Sequence, residues 1–121
     1  MKKKVLIIDD DNRNIFALKL TLRSKGYECL SAQSAQAGID MLASDKNIGI
    51  ILMDMMMPDM DGYQAMAALH KNPATTHIPV IAVTAQAMVG DREKCLRAGA
   101  TDYIAKPIDV DALLEILKRY I

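Results

Sequence analysis

The chain carries no net charge, because fifteen basic side chains cancel fifteen acidic ones over 121 residues. No field is left to draw DNA, RNA or an anionic membrane toward it. Its single basic run, Lys2-Lys3-Lys4, reads as a solvated leader into a first strand and not as a binding patch. Cysteine occurs only twice, at Cys29 and Cys95, far apart and without metal spacing. Both read as buried free thiols of a reducing cytosol, not as a disulfide. No apolar stretch reaches the length of a membrane-crossing helix, and the start lacks the apolar segment of a signal peptide. Tryptophan is missing altogether, and nine methionines are present; as flexible core fillers they mark no cofactor box. Repeats, low-complexity segments and an interdomain linker are absent too. Residues 1–121 therefore read as a single domain, long enough to bury a core without staples. Half the composition is hydrophobic and a quarter charged, as in ordinary soluble globular chains.

What is present is organised around Ile50-Ile51-Leu52-Met53-Asp54-Met55-Met56-Met57-Pro58. It opens as an apolar run with no polar alternation, as expected of a strand covered on both faces of a parallel sheet. The run then ends in one carboxylate, Asp54, with Pro58 stopping the strand. In open α/β sheets ligands bind beyond the carboxyl ends of the strands. An acid placed there is positioned for chemistry, whereas inside the strand it would only be a desolvation cost.

The rest of the chain alternates strand and helix. Val5 to Ile8 is a first strand that stops at Asp9-Asp10-Asp11, and Asn12 is a candidate cap for a helix carrying Ile15, Leu18 and Leu22, closed by Gly26. Tyr27 to Ala32 reads as a more polar strand, nearer a sheet edge. Ser34 caps a helix with Ala35, Ile39 and Leu42 on one face. Pro58 to Gly62 is turn chemistry, and a helix with Tyr63, Met66 and Ala67 runs to the break at Asn72-Pro73. Pro79 leads a fourth strand, Val80 to Val83, ending at Thr84. A polar helix from about Met88 to Ala98 is closed by Gly99, and Thr101 to Ile104 forms a fifth strand ending at Lys106-Pro107. Asp109 caps a last helix with Val110, Leu113, Leu114 and Leu117 at i, i+3, i+4 and i+7. Five strands alternating with five helices imply an α/β fold, a doubly wound five-stranded parallel sheet of flavodoxin-like (βα)5 type, in the strand order 2-1-3-4-5 that such sheets commonly take.

That order delivers Asp9, Asp10, Asp54, Thr84 and Lys106 to one rim. Three carboxylates close together repel one another and persist only if a cation compensates them. Oxygen ligands that wrap incompletely suit Mg²⁺ better than Ca²⁺. Carboxylates, a divalent cation, a lysine and a threonine are together suited to phosphoryl transfer, with Asp54 the candidate nucleophile forming an aspartyl phosphate. Taken singly, a threonine ending a strand at Thr84 and a Lys-Pro turn at Lys106 are ordinary, and Asp11 reads as a helix cap or turn residue. Their coincidence at successive strand ends is what carries the argument.

Four blocks in order make the sequence resemble a two-component response regulator receiver domain across essentially its whole length. They are Val5-Leu6-Ile7-Ile8-Asp9-Asp10, Asp54-Met55-Met56-Met57-Pro58-Asp59-Met60-Asp61-Gly62, Val83-Thr84-Ala85 and Tyr103-Ile104-Ala105-Lys106-Pro107. The fragment Gly90-Asp91-Arg92-Glu93-Lys94-Cys95 further resembles receivers attached to hybrid sensor histidine kinases. Met1 and the lysine leader favour a free-standing chain. The resemblance implies that Asp54 accepts phosphate from a phosphohistidine of a histidine kinase or phosphotransfer domain. It implies Mg²⁺ held by Asp9, Asp10, Asp54 and the backbone carbonyl of Met56. It implies further that Lys106 pairs with the phosphoryl group across a cis bond to Pro107, and that Thr84 and Tyr103 move as a coupled switch. The first helix would face the phosphodonor. The fourth helix, fifth strand and last helix would form the readout face, in a cytoplasmic protein that is a monomer or a phosphorylation-linked dimer. Met56 cannot act as a base, so it is not expected to speed phosphate loss, and the small Ala85 leaves the phosphoryl site open. Gln86 has no clear reading. His70 and His77 read as surface residues without a phosphotransfer role.

Three other functions compete. An aspartyl-nucleophile phosphatase needs a second acid two residues after the nucleophile, where this chain has Met56, and usually a cap domain. A nucleotide-binding module needs glycines where Asp9-Asp10-Asp11-Asn12 stand. A phosphorylation-incompetent scaffold receiver would not need the complete set of acids, threonine and lysine.

Overall fold

The structure, a computed structural model, describes residues 3–57, 62–85 and 90–121. The expected turn at Pro58, Asp59, Met60 and Asp61, the residue Gln86, the helix start at Met88 and the leader residue Lys2 lie outside the described residues. The element order is β1 (Lys4–Ile8), α1 (Asn12–Ser24), β2 (Cys29–Ala32), α2 (Ala35–Ser44), β3 (Ile48–Asp54), α3 (Gly62–Lys71), β4 (Val80–Thr84), α4 (Asp91–Arg97), β5 (Asp102–Ala105) and α5 (Val110–Tyr120). All five strands are parallel, in the order β2-β1-β3-β4-β5. The doubly wound α/β architecture expected from the sequence is the one observed.

Side chains alternate across each strand, so β3 feeds two cores. Ile51 and Met53 join Leu6, Ile8, Val80 and Ala82 on the face covered by α2, α3 and α4, where Leu42, Met66 and Cys95 are buried. Ile50 and Leu52 join Val5, Ile7, Ile81 and Val83 on the opposite face, covered by α1 and α5 through Ile15, Leu22, Leu113 and Leu117. A strand sandwiched in this way has no solvent side, which is why its sequence shows no polar alternation. Cys29 and Cys95 are both buried and free, and burial pushes the Cys29 thiol up from its ordinary pKa.

The caps explain where helices begin. Ser34 accepts from the Ala37 N–H, and Asp109 accepts from the N–H groups of Asp111 and Ala112. Of the two residues read as caps for α1, Asp11 is the one that caps it: its side chain accepts from the Arg13 N–H, and Asn12 is the first helical residue. β2 starts at Cys29 and not at Tyr27, because the Tyr27 N–H is already spent on the Leu22 carbonyl closing α1. β5 is shifted by one, since Thr101 is bound to Val80 through both its backbone N–H and its hydroxyl before the strand begins. On α3 the buried set is Gly62, Ala65, Met66 and Leu69, while Ala67 faces solvent. Gly62 is required there by close approach, because a Cβ would run into the Met55 thioether.

α3 and α4 are fastened together near their solvent edge. The Lys94 ammonium sits 4.8 Å from the centre of the Tyr63 ring, and the Tyr63 hydroxyl lies 3.6 Å from Cys95 Sγ. His70 and His77 are exposed as expected, but His70 is not idle: its Nε2 lies 2.9 Å from the Gly99 carbonyl oxygen.

These packing differences set the expected response to truncation. Leu117→Ala removes a fully buried side chain and should cost about 2–5 kcal/mol. Leu20→Ala, on the outer side of α1 where the leucine is 62% exposed, should stay within about 0.5 kcal/mol. Urea unfolding midpoints of the two variants against the parent check both expectations.

Candidate functional site

The carboxyl ends of β1, β3, β4 and β5 lie along one rim of the sheet, and each ends in a polar residue or is followed at once by one. Asp54 is the last residue of β3, paired in register with Val83. Asp9 follows β1, and its backbone N–H donates to the Ala32 carbonyl, extending the ladder by one bond. Thr84 ends β4 and is buried, and the Lys106 N–H donates to its carbonyl.

Asp9 and Asp54 are only 4% and 5% exposed, whereas Asp10 is open to solvent. The two buried carboxylates are held in the same manner. Oδ1 of Asp9 accepts from the Asp11 N–H at 2.9 Å, and Oδ1 of Asp54 accepts from the Met56 N–H at 3.0 Å. Each acid thus anchors one oxygen on a backbone donor two residues ahead, an Asx-type turn that fixes its rotamer. The other oxygen of each faces Lys106, whose Nζ lies 3.4 Å from Asp9 Oδ2 and 3.5 Å from Asp54 Oδ2. The Lys106–Pro107 bond is cis.

The charges do not balance. Carboxylate oxygens of Asp9, Asp10 and Asp54 lie within 4.8 Å of one another, against the single ammonium of Lys106. Burial raises the Asp54 carboxyl above the ordinary carboxylate range, and the charges of Asp9 and Asp10 add to the rise. The Met56 N–H and Lys106 pull the other way without cancelling it. An all-oxygen cluster with surplus negative charge, open to water at Asp10, could hold a hard divalent cation that keeps several water ligands.

The remaining sequence candidates lie around this cluster. Ala85 is exposed immediately after Thr84. The Met56 side chain is 53% exposed and only its backbone touches Asp54. Tyr103 is partly buried on β5 against the α2–α4 core, and burial, with Asp91 and Cys95, pushes its phenol up. Two features escaped the sequence reading. One is the His70–Gly99 contact, and the other is a groove of about 550 Å³ beside Lys106, between α1 and the start of α5. Neither leaves a motif, since each depends on how distant elements pack.

Comparison with known proteins agrees with this geometry. Residues 5–118 match the response regulator receiver domain family. The chain is 36% identical over its full length to the polar-differentiation response regulator DivK of Brucella ovis, covering 98% of that protein. It is 38% identical, over 98% of its length, to a segment making up 7% of the hybrid signal transduction histidine kinase I of Dictyostelium discoideum. In three dimensions it superposes on the Vibrio cholerae chemotaxis protein CheY4 with a TM-score of 0.90, covering all of both chains at 24% identity, a likeness of fold. With a full-length relative above a third identical and a family match over nearly the entire chain, this protein belongs to the response regulator receiver domains of two-component signalling.

Proposed function

We propose that this chain is a phosphorelay switch in which Asp54 accepts a phosphoryl group from a phosphohistidine on a histidine kinase or histidine phosphotransfer protein. The observation that supports it most is the pair of buried carboxylates, Asp9 and Asp54, converging on Lys106 Nζ. Asp54 Oδ2 attacks phosphorus as the bond to the histidine nitrogen breaks, while its Oδ1 stays on the Met56 N–H and holds the carboxylate in place. Lys106 is drawn to the incoming phosphoryl oxygens, and the Thr84 hydroxyl donates to them from the end of β4. Asp9, Asp10, Asp54 and the Met56 carbonyl would hold Mg²⁺. When bound, the cation neutralises surplus negative charge and polarises phosphoryl oxygens.

Movement of Thr84 toward the phosphoryl group would draw Tyr103 inward, changing the surface of α4, β5 and α5 that a downstream protein reads. The chain assists its own phosphorylation and dephosphorylation and does not turn over a substrate. Met56, exposed and without an acid or base, supplies no group to orient a water for phosphate release. The setting is the cytoplasm, with the protein a monomer or a phosphorylation-linked dimer. Among the described residues, no helix is long and apolar enough to cross a membrane.

Intact mass after incubation with acetyl phosphate tests the reading. One phosphoryl adduct is expected in the presence of Mg²⁺, lost on chelation and lost in Asp54→Asn. A folded protein that gains no adduct under any condition would sink it. Lys106→Gln should slow adduct formation about 10²-fold, as removal of a preorganised charge donor does. Stability gives a separate check. Because the folded carboxyl of Asp54 titrates above its ordinary value, its contribution is most favourable below the ordinary carboxylate range. It is lost as pH rises through that range to the folded value, leaving a penalty at neutrality. Asp54→Asn should therefore raise the melting temperature of the metal-free protein at pH 7 and flatten its fall above pH 4. Added Mg²⁺ should raise the melting temperature of the parent more than that of Asp54→Asn.

A further inference from the structure

Asp10 differs from the other acids of the rim. Its carboxylate lies within 4.8 Å of those of Asp9 and Asp54, yet it is exposed, and among the described residues no hydrogen bond or ion pair holds its side chain. Its place is therefore set by the backbone that carries it. On one side that backbone is anchored at Asp9, whose N–H donates to the Ala32 carbonyl and whose Oδ1 accepts from the Asp11 N–H. On the other side it runs directly into α1. The residue that caps α1 thus decides how residues 9–11 sit.

Two neighbours have the chemistry for that cap. Asp11 takes it, with its Oδ1 accepting from the Arg13 N–H and its carbonyl from the Ile15 N–H. Asn12 is as good a cap by residue type, but its Oδ1 is already engaged. Gln33, which directly follows β2, donates to it through Nε2 at 2.6 Å. An amide oxygen committed to Gln33 is turned away from the N–H groups of α1. Released, it would accept from them in place of Asp11 and move the start of α1 on by one residue. Asp11 would then leave its turn, and its N–H would no longer hold Asp9 Oδ1.

We propose that Gln33 is a positioning residue for the divalent cation: by occupying the Asn12 amide it keeps the cap at Asp11, and so holds residues 9–11 in the form from which Asp9 and Asp10 meet the metal. The proposal rests on the reading that Asp9, Asp10 and Asp54 hold Mg²⁺. Gln33 contributes no ligand itself and acts through Asn12 and the helix start.

Amide NMR spectra of the unphosphorylated chain read both links. A titration with magnesium chloride gives the Kd, and hydrogen exchange at the Arg13 amide in the metal-free chain reports the cap. Gln33→Leu should raise the Mg²⁺ Kd about twofold, because two caps of similar strength then share the helix start and roughly half of the molecules keep the binding form. The same variant should speed exchange at Arg13. Asn12→Ala removes the competing acceptor, so its Kd should match the parent. Adding Gln33→Leu to Asn12→Ala should change nothing further. Both positions are exposed, and the spectra themselves show that each variant is folded. A Kd unmoved by Gln33→Leu would overturn the proposal. So would an Asn12→Ala variant that binds Mg²⁺ as weakly as Gln33→Leu, since the pair would then be a simple tether. A parent chain whose rim amides do not respond to Mg²⁺ would overturn the cation reading, and this proposal with it.

Discussion

Two carboxylates taken out of water share one ammonium, and the arrangement of the strand ends follows from that constraint. Asp9 and Asp54 are each at least nine-tenths buried, and Lys106 is the cation that both of them face. A buried charge without its partner costs several kcal/mol, so the ends of β1, β3 and β5 must be in register for any one of them to be tolerable. The backbone donors at Asp11 and Met56 each satisfy one oxygen, and the second oxygens are left to the lysine. Adding Asp10 makes the negative charge exceed the positive.

The sheet supplies the low-dielectric floor for this balance. β3 is covered on one side by α1 and α5 and on the other by α2, α3 and α4, so no water approaches Asp54 from below. The same two-sided packing divides the surface into regions with different couplings to the rim. α1 and the start of α5 flank Lys106 directly. α4 lies on the opposite face, packed against Tyr103 through the core and pinned to α3 by Lys94, Cys95 and the following turn.

Much of the fold was legible because single residues end its elements sharply. Ser34 and Asp109 each have one physical use at their positions, and the structure shows both in it. The β3 run was readable from its lack of any polar residue, which only a strand with two covered faces tolerates. The boundaries blur where neighbours offer equivalent chemistry. Asp11 and Asn12 are both good caps and both were read so; composition does not choose between them, and the structure uses Asp11. Ala67 and Ala65 are too small to signal which side of α3 is buried. Tyr27 suits a strand by propensity, but its N–H is needed to close α1. At the site, Asp9, Asp10, Asp54, Thr84 and Lys106 were identifiable because each interrupts an apolar strand at its carboxyl end. The groove was not, since its walls come from α1 and from residues 107–110, and only their packing creates the space between them.

Ninety-seven residues separate Asp9 from Lys106. Contacts between such distant segments carry the largest loop-closure cost and form late when a chain folds. β5, a strand of four residues that among the described residues pairs with β4 alone, must dock before Lys106 can reach the acids. A chain that has assembled β1, β2 and β3 but not yet β5 holds buried carboxylates without their cation, a state that is driven either onward to completion or back to solvent. The pairing of these acids with Lys106 therefore exists only once β5 is in place beside β4.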